Sequence, residues 1–280
     1  MRKLDQAKHV TRRITGAAPL LAAAVWIVLT PVFLQALNVC ADPDYLPYSD
    51  KAEAGFENKI ARAVAAALHE PLQYTWATNR GHGGFLQFLS STLDAKKCDV
   101  VMSIPYGSRE ELTTRPYYIS SYVFVFDKNK KYDITTMDSP VLKRVKIGFE
   151  RETPAEDALK VRGLVQTGVA FDIGDDAGES PAAMLAALNS GKIDVLITWQ
   201  PAVGFFLRTA SNFEVVPVPN ERALGVPEQY AFPMSMGVRA GNGELKKRLD
   251  EVIENHQSEL TAILTENGVL SFTPAQGERH

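Results

Sequence analysis

The residues best suited to bind a charged solute are an arginine and several aromatic side chains near predicted strand ends. Arg109 follows the apolar segment that ends at Ser103, and a guanidinium holds a planar carboxylate through two parallel hydrogen bonds. A zwitterion also needs an acid for its ammonium group, which we expect directly after residues 194–197. The uncharged residues 198–200 stand there instead. Loss of one partner of a buried ion pair costs roughly 3–5 kcal/mol, so the sequence argues against ordinary amino-acid binding.

The candidate binding residues are those that strand-end geometry and loop position would bring towards a cleft. They are Asp42, Tyr45, Tyr48, Glu57, Ser103, Tyr106, Arg109, Arg115, Trp199 and Phe205. Trp199 is the strongest of the rings, because it directly follows a predicted strand, and aromatic side chains anchor both protein contacts and apolar ligands. Glu57 opens a predicted helix, where a carboxylate also stabilises the helix dipole.

Catalytic, metal and cofactor chemistry lack the residue patterns that they require. No serine has a matched histidine at a position that predicts a nucleophile and base. The histidines and cysteines are not clustered with metal-ligand spacing, and no haem-attachment motif occurs. We therefore predict a non-enzymatic protein with no metal, no cofactor and no catalytic residues.

The elements that must position the candidate residues alternate between strand and helix. The strands are predicted at residues 37–41, 72–76, 99–103, 122–126, 144–149, 193–198 and 234–239. The helices are predicted at residues 57–68, 85–95, 154–162, 181–189 and 245–264. Short strands that alternate with helices indicate an α/β fold with a parallel sheet.

The first 36 residues have the order of a secretory signal peptide. Residues 1–13 carry five Lys and Arg against Asp5, an apolar run covers residues 14–34, and Ala36 is a small residue suited to cleavage. An uncleaved membrane anchor is the alternative, since the run approaches the roughly 20 residues of a bilayer span. The remaining 244 residues hold 25 Lys and Arg against 32 Asp and Glu, a net charge of −7. This acidic balance argues against nucleic-acid binding.

Two α/β units in 244 residues fit a pair of lobes connected by a two-strand hinge. We predict that lobe 1 comprises residues 37–127 and 232–280, and lobe 2 comprises residues 128–231. Ligands of such an architecture lie in the cleft at the carboxyl ends of the strands.

Cys40 and Cys98 both lie in the exported part of the chain, where an oxidising compartment permits a disulfide. The even number of cysteines favours pairing. The offset between a strand end at Cys40 and a strand start at Cys98 argues against it, because a bridge needs close Cα atoms. We predict a bridge.

Several short motifs resemble one family of extracytoplasmic proteins. They are Val39–Pro43, Gly55–Ile60, Leu112–Tyr118 and Met234–Arg239. Together they resemble the MxaJ/XoxJ family, which is related to the type II periplasmic binding proteins and occurs beside quinoprotein methanol dehydrogenases. The resemblance covers about residues 37–270. Residues 108–111 and the loop after Phe149 diverge and favour the XoxJ branch.

The resemblance implies a periplasmic, non-enzymatic accessory protein that assists the maturation or activation of a PQQ-dependent, lanthanide-type methanol dehydrogenase by protein binding. We expect this protein to contact the membrane only through its signal segment, before that segment is cleaved. The alternative is a solute receptor of an ABC importer for a small organic or amino acid. A third, weaker alternative is a cleft enzyme of the dehydratase type, against which the missing acid–base set argues.

Overall fold

The computed structural model describes residues 35–81, 83–109, 111–173 and 179–272. Residues 1–34 of the predicted signal segment therefore lie outside the described residues. The described residues all belong to one compact unit. The first strands are β1 (Leu37–Ala41), β2 (Asp44–Tyr45), β3 (Ser49–Asp50), β4 (Leu72–Trp76), β5 (Val100–Pro105), β6 (Leu112–Thr113) and β7 (Tyr118–Asp127). They are followed by β8 (Ile147–Glu150), β9 (Val169–Phe171), β10 (Val195–Trp199), β11 (Phe213–Pro217), β12 (Glu221–Ala223), β13 (Val226–Glu228) and β14 (Ala231–Val238). The α-helices are α1 (Phe56–Leu68), α2 (Gly84–Ser91), α3 (Pro154–Val161), α4 (Pro181–Asn189), α5 (Gln200–Leu207) and α6 (Gly243–Glu266).

Within the described residues, ten strands form one sheet in the order β4-β1-β5-β14-β7-β10-β8-β9, with β6 beside β14 and β11 beside β7. Strands β1, β4 and β5 are parallel, as are β8, β9 and β10. The long strands β7 and β14 run antiparallel to their neighbours. The sheet is therefore mixed. Its first half consists of β4, β1, β5 and β14, and its second half consists of β10, β8 and β9. Strand β14 belongs to the first half although it follows the strands of the second half along the chain.

Strand β7 connects the two halves of this sheet by changing its partner partway along. Its first residues pair with β14 up to Ser121, and from Tyr122 onwards it pairs with β10. A short 3-10 helix at Lys128–Lys130 follows the end of β7. The lobe bounds that we derive from the sequence stay a prediction.

Helices cover both faces of each half of the sheet. Successive strand residues point to opposite faces, so neighbouring residues of one strand belong to different cores. In the first half, Val39 belongs to a core with α1 and α6, while Cys40 belongs to a core with α2. In the second half, Phe124 faces a core with α3, while Val125 faces a core with α4 and α5. The long β-former segments are thus buried on both sides.

Cys40 and Cys98 form a disulfide with Cα atoms 5.5 Å apart. Cys98 lies in the turn before β5 and not on the strand, so its side chain can reach Cys40 despite the strand offset. The bridge fixes the start of β5 against β1. Among the residues that the structure describes, no helix has both the length and the apolar character needed to cross a bilayer.

Candidate functional site

A cavity of about 280 Å³ lies at the carboxyl ends of β1, β4 and β5, and the end of β10 closes one side of it. Its walls combine aromatic rings, sulfur and aliphatic groups, carboxyl groups and one guanidinium. The lining residues include Asp42, Tyr45, Tyr48, Glu57, Asn79, Arg80, Phe85, Phe88, Met102, Ser103, Pro105, Tyr118, Trp199 and Met234. A pocket at strand ends with a few polar groups among rings is the usual form of a small-molecule site.

Asp42 holds together the loops that follow β1 and β4. Its carboxylate accepts hydrogen bonds from the backbone N–H of Asp44 at 2.8 Å and of Asn79 at 2.7 Å. Ser49 completes the turn, because its hydroxyl donates to the Asp42 carbonyl at 2.8 Å. The carboxylate of Asp42 is thus occupied by backbone donors, and its main effect is to shape the cavity wall.

Glu57 enters the cavity because the chain before α1 packs very closely on the preceding loop. A Cβ atom at Gly55 would lie 2.0 Å from the carbonyl oxygen of Tyr48, so only glycine allows this approach. That same carbonyl accepts the backbone N–H of Glu57 at 2.9 Å. Burial raises the pKa of Glu57 to about 7, Asp42 adds to the increase, and the Ser103 hydroxyl opposes it.

Ser103 connects the cavity to a pair of tyrosines at the start of β7. Its hydroxyl lies 3.3 Å from the phenol oxygens of both Tyr117 and Tyr118. Tyr117 also donates to the Met102 carbonyl at 2.7 Å. Burial raises the pKa of both phenols above their ordinary range, so they stay protonated and act as hydrogen-bond donors or acceptors.

Trp199 forms the wall on the side of the second half of the sheet. Its ring lies 5.4 Å from that of Tyr122 and 5.9 Å from that of Phe232. The side chain packs against the core of both halves of the sheet. Tyr45 also connects the two halves of the sheet. It follows β1 of the first half along the chain, but its side chain packs against the core of the second half beside α4 and α5.

Glu150, at the end of β8, is not a lining residue, but its buried carboxyl group acts on Tyr45 and Tyr48 in the cavity wall. One of its oxygens lies 3.3 Å from the hydroxyl of Thr198 on the neighbouring strand β10. Burial raises the pKa of Glu150 to about 7, and the hydrogen bond from Thr198 opposes that increase. No acid directly follows residues 194–197, and the carboxyl group in this half of the sheet comes instead from the end of the neighbouring strand β8. A search of every predicted strand end, and not only that of residues 193–198, would have found it.

Six of the predicted binding residues line the cavity: Asp42, Tyr45, Tyr48, Glu57, Ser103 and Trp199. The other four lie elsewhere. Tyr106 and Arg109 are exposed on the loop after β5. Arg115 forms an ion pair with Glu254 of α6 at 2.6 Å. Phe205 packs in α5 against Phe206 and beneath Arg208.

The guanidinium at this site comes from Arg80, in place of the predicted Arg109. Arg80 follows β4, and its terminal nitrogen lies 3.7 Å from an oxygen of Asp44. Nothing in the spacing of residues 77–81 marks this position, so the sequence alone gave no signal for it. In the part of the chain that the structure describes, no group of three His, Cys, Asp or Glu side chains could hold a metal ion.

The fold and the strand-end cavity are those of periplasmic binding proteins, and solved structures agree. The chain is similar to MxaJ from Methlophaga aminisulfidivorans MPT, with 25% identity, a TM-score of 0.77 and coverage of 85% of this chain and 100% of the other. It is similar to the periplasmic binding protein XoxJ from Methylobacterium extorquens AM1, with 32% identity, a TM-score of 0.70 and the same coverage. An ancestral cationic amino-acid solute-binding protein shares the fold at 20% identity and a TM-score of 0.65.

Sequence relatives identify the family. The chain is 31% identical to Protein MoxJ of Methylorubrum extorquens over 248 residues, which is 83% of this chain and 80% of that protein. It is 25% identical to Protein MoxJ of Paracoccus denitrificans over 278 residues. No protein-family model matches the chain. The chain belongs to the MxaJ/XoxJ family, which includes the proteins named MoxJ, and both the predicted family and the predicted fold class are confirmed. Identity is higher to XoxJ and the TM-score is higher to MxaJ, so the XoxJ branch stays a prediction.

Proposed function

We propose that the protein is a periplasmic, non-enzymatic accessory factor that binds a quinoprotein methanol dehydrogenase and assists its maturation or activation. The observation that carries the proposal is the 31% identity with Protein MoxJ over most of both chains. The association of this family with methanol dehydrogenases, which the sequence resemblance implies, supplies the partner. The lanthanide-type enzyme is the expected one.

Exposed apolar side chains next to the cavity support a role in protein contact. Leu46, Phe85, Leu86 and Tyr106, which we call the apolar rim, are between 36% and 63% exposed. Each of them either lines the cavity or directly follows a lining residue in the chain. Exposed large apolar side chains beside a cavity favour an interaction site. The net charge of −7 for residues 37–280 favours a partner with basic residues around the contact.

Mixing the purified protein with the purified apo-dehydrogenase tests this proposal on a sizing column. We expect the two to elute together, and we expect Leu86→Glu to weaken the complex at least tenfold. Leu224→Glu is the matched control, because Leu224 is 89% exposed at the turn between β12 and β13, away from the rim in sequence. Separate elution of the two folded wild-type proteins would refute the proposal.

A solute receptor for an ABC importer is the second candidate, and the cavity itself favours it. Its lining combines the carboxyl group of Glu57 with the rings of Tyr45 and Tyr48, and both Glu57 and the nearby Glu150 raise the pKa values of these phenols. If a panel of metabolites raises the melting temperature while the dehydrogenase does not co-elute, the receptor is favoured. A ligand at 100 times its Kd stabilises a protein by about 2.7 kcal/mol, which is readily measured.

A further inference from the structure

The cavity has the size and walls of a site for one small organic molecule. Its volume of about 280 Å³ corresponds to about nine water molecules at roughly 30 Å³ each. Aromatic rings from both halves of the sheet line it. The stacked pair Tyr45 and Tyr48, with centroids 4.9 Å apart, comes from the loop after β1, and Trp199 comes from β10. Such walls suit an aliphatic chain, and the faces of the rings attract a cation.

The charge around this space is negative on balance. Glu57 lines the cavity, and Glu150 acts on the phenols of Tyr45 and Tyr48. Among the described residues, no lysine or arginine contributes to the pKa of either carboxyl group. Arg80 also lines the cavity; its terminal nitrogen lies 3.7 Å from the exposed carboxylate of Asp44, and its Nε is buried without an acceptor among the described residues. A buried carboxylate without a cationic partner is costly, and a bound cation would supply that partner.

Hydrogen-bond acceptors stand in the same walls. The amide oxygen of Asn79 is buried and has no donor within the described residues. Ser103 offers a hydroxyl, and Glu57 offers two carboxylate oxygens. A primary ammonium group has three N–H donors and no acceptor, so it matches the acceptors that Asn79, Ser103 and Glu57 offer. An anion or a simple alcohol would leave the negative charge of ionised Glu57 without a counter-charge.

We propose that this cavity binds a small primary alkylammonium ion, with the ammonium group against Glu57 and the alkyl chain among the rings of Tyr45, Tyr48 and Trp199. The ion can be a free amine or the side-chain end of a lysine from a partner protein, since the two present the same chemistry. The inference goes beyond the protein-partner proposal and does not depend on it.

Binding of this ion is coupled to the ionisation of Glu57. The pKa of Glu57 is about 7 in the unliganded cavity, and a cation favours its ionised form. An alkylammonium group, with a pKa near that of lysine, about 10.4, stays charged through this range. Affinity should therefore rise about tenfold from pH 6 to pH 8. The other charged and titratable groups at this wall are Asp42, Tyr45, Tyr48, Arg80, Tyr117 and Tyr118.

Calorimetry on the purified exported protein tests the proposal with n-butylammonium, n-butanol and n-butyrate at pH 8. We expect n-butylammonium to bind at least tenfold more tightly than the other two. Equal or tighter binding of butanol or butyrate, or no binding of butylammonium, would overturn the proposal. This comparison needs no variant and no dehydrogenase, so its failure is distinct from a failure of the proposed function.

Two variants locate the bound ion. Glu57→Gln keeps the size of the side chain and should weaken butylammonium binding at least tenfold, with the pH dependence lost. Glu214→Gln changes an exposed glutamate of β11 and should leave binding unchanged. Equal binding by both variants would overturn the assignment to this cavity. A capped glycine-lysine-glycine peptide distinguishes the source, because binding of the peptide supports a lysine from a partner, and binding of butylammonium alone supports a free amine.

Discussion

The carboxyl group of Glu150 lies 3.3 Å from the hydroxyl of Thr198, across the carboxyl ends of two neighbouring parallel strands. Strand β8 ends at Glu150, and β10 continues one residue further to Trp199. This register places a buried acid at the end of the strand next to the one that carries Trp199. The second half of the sheet thus contributes a ring to the cavity lining and a carboxyl group that acts on Tyr45 and Tyr48 in its wall, while Glu57 lines the cavity from the first half.

Stability should fall as pH rises, because the pKa values of Glu57 and Glu150 are both raised from 4.5 to about 7. Below pH 4.5 the folded and unfolded chains both hold these protons. Above that value the unfolded chain releases them while the folded carboxyl groups resist, so stability is lost as pH passes through about 7. We expect a loss on the order of 2 kcal/mol per carboxyl group between pH 5.5 and 8.

Thermal or urea unfolding at pH 5.5, 6.5, 7.5 and 8 measures this loss. The double variant Glu57→Gln and Glu150→Gln should flatten the dependence, while Glu214→Gln should retain it. An unchanged slope in the double variant would show that other groups control the pH dependence.

Reduction of the bridge between Cys40 and Cys98 should destabilise the fold substantially. The bridge closes a loop with a sequence separation of 58 residues, and removing such a cross-link typically costs about 2–4 kcal/mol. For a chain of this size we expect the melting temperature to fall by roughly 10 °C. Melting curves with and without dithiothreitol measure the effect, and the Cys40→Ser, Cys98→Ser variant should not respond to the reductant.

Gly55→Ala should disrupt the loop that carries Tyr45 and Tyr48. The added Cβ would lie 2.0 Å from the Tyr48 carbonyl oxygen, which belongs to the backbone and cannot rotate away. Overpacking of this kind costs about 1–3 kcal/mol or more. Gly243→Ala is the control, because a Cβ there meets nothing within 4 Å at the start of α6. Urea unfolding should show a loss only for Gly55→Ala, and equal stability of the two variants would contradict the close approach.

Arg162→Met, a change directly after α3, should destabilise the protein strongly. The Arg162 side chain is 8% exposed and lies 2.8 Å from Glu228, 2.9 Å from Asp138 and 3.5 Å from Glu221. Removing the guanidinium leaves the mostly buried carboxylates of Glu221 and Glu228 without their shared partner, at a cost of roughly 3–5 kcal/mol, while the exposed Asp138 contributes little.

Arg62→Met is the matched control, because its ion pair with Glu53 is solvent-exposed. Exposed pairs of this kind contribute about 0–1 kcal/mol. Denaturant unfolding at low and high salt separates the two cases, since salt should alter only the exposed pair. Similar losses for the two variants would show that the Arg162 cluster is not a buried network.

The sequence predicted the long elements well, because their apolar spacing is regular. The bounds of β4 and α4 match the prediction, and β7 and α6 extend the predicted segments by a few residues. Helix α2 ends at Ser91 and not at residue 95. The hydroxyl of Thr92 donates to the Phe88 carbonyl at 2.6 Å, and the chain then turns. Helix α5 was missed, because Pro201 and Gly204 resemble helix breakers, although a proline in the first turn is compatible with a helix.

The predictable part of the site is the part that strand ends determine. Ser103 and Trp199 lie near strand ends, and Glu57 follows directly from the glycine before α1. Arg80 and Asn79 lie in an irregular loop, whose path depends on the hydrogen bond to Asp42 and not on any periodic pattern. Strands of two or three residues, such as β2 and β12, are too short to show a period and were missed for the same reason.

The indole of Trp199 packs against both halves of the sheet, and this gives the molecule a built-in optical reporter. Any rotation that separates the two halves must withdraw the ring from one set of apolar neighbours and bring it into contact with water. Its fluorescence would then shift to longer wavelength. A Trp76→Phe background, which leaves Trp199 as the emitter within residues 37–280, would let that movement be followed in solution without an attached dye.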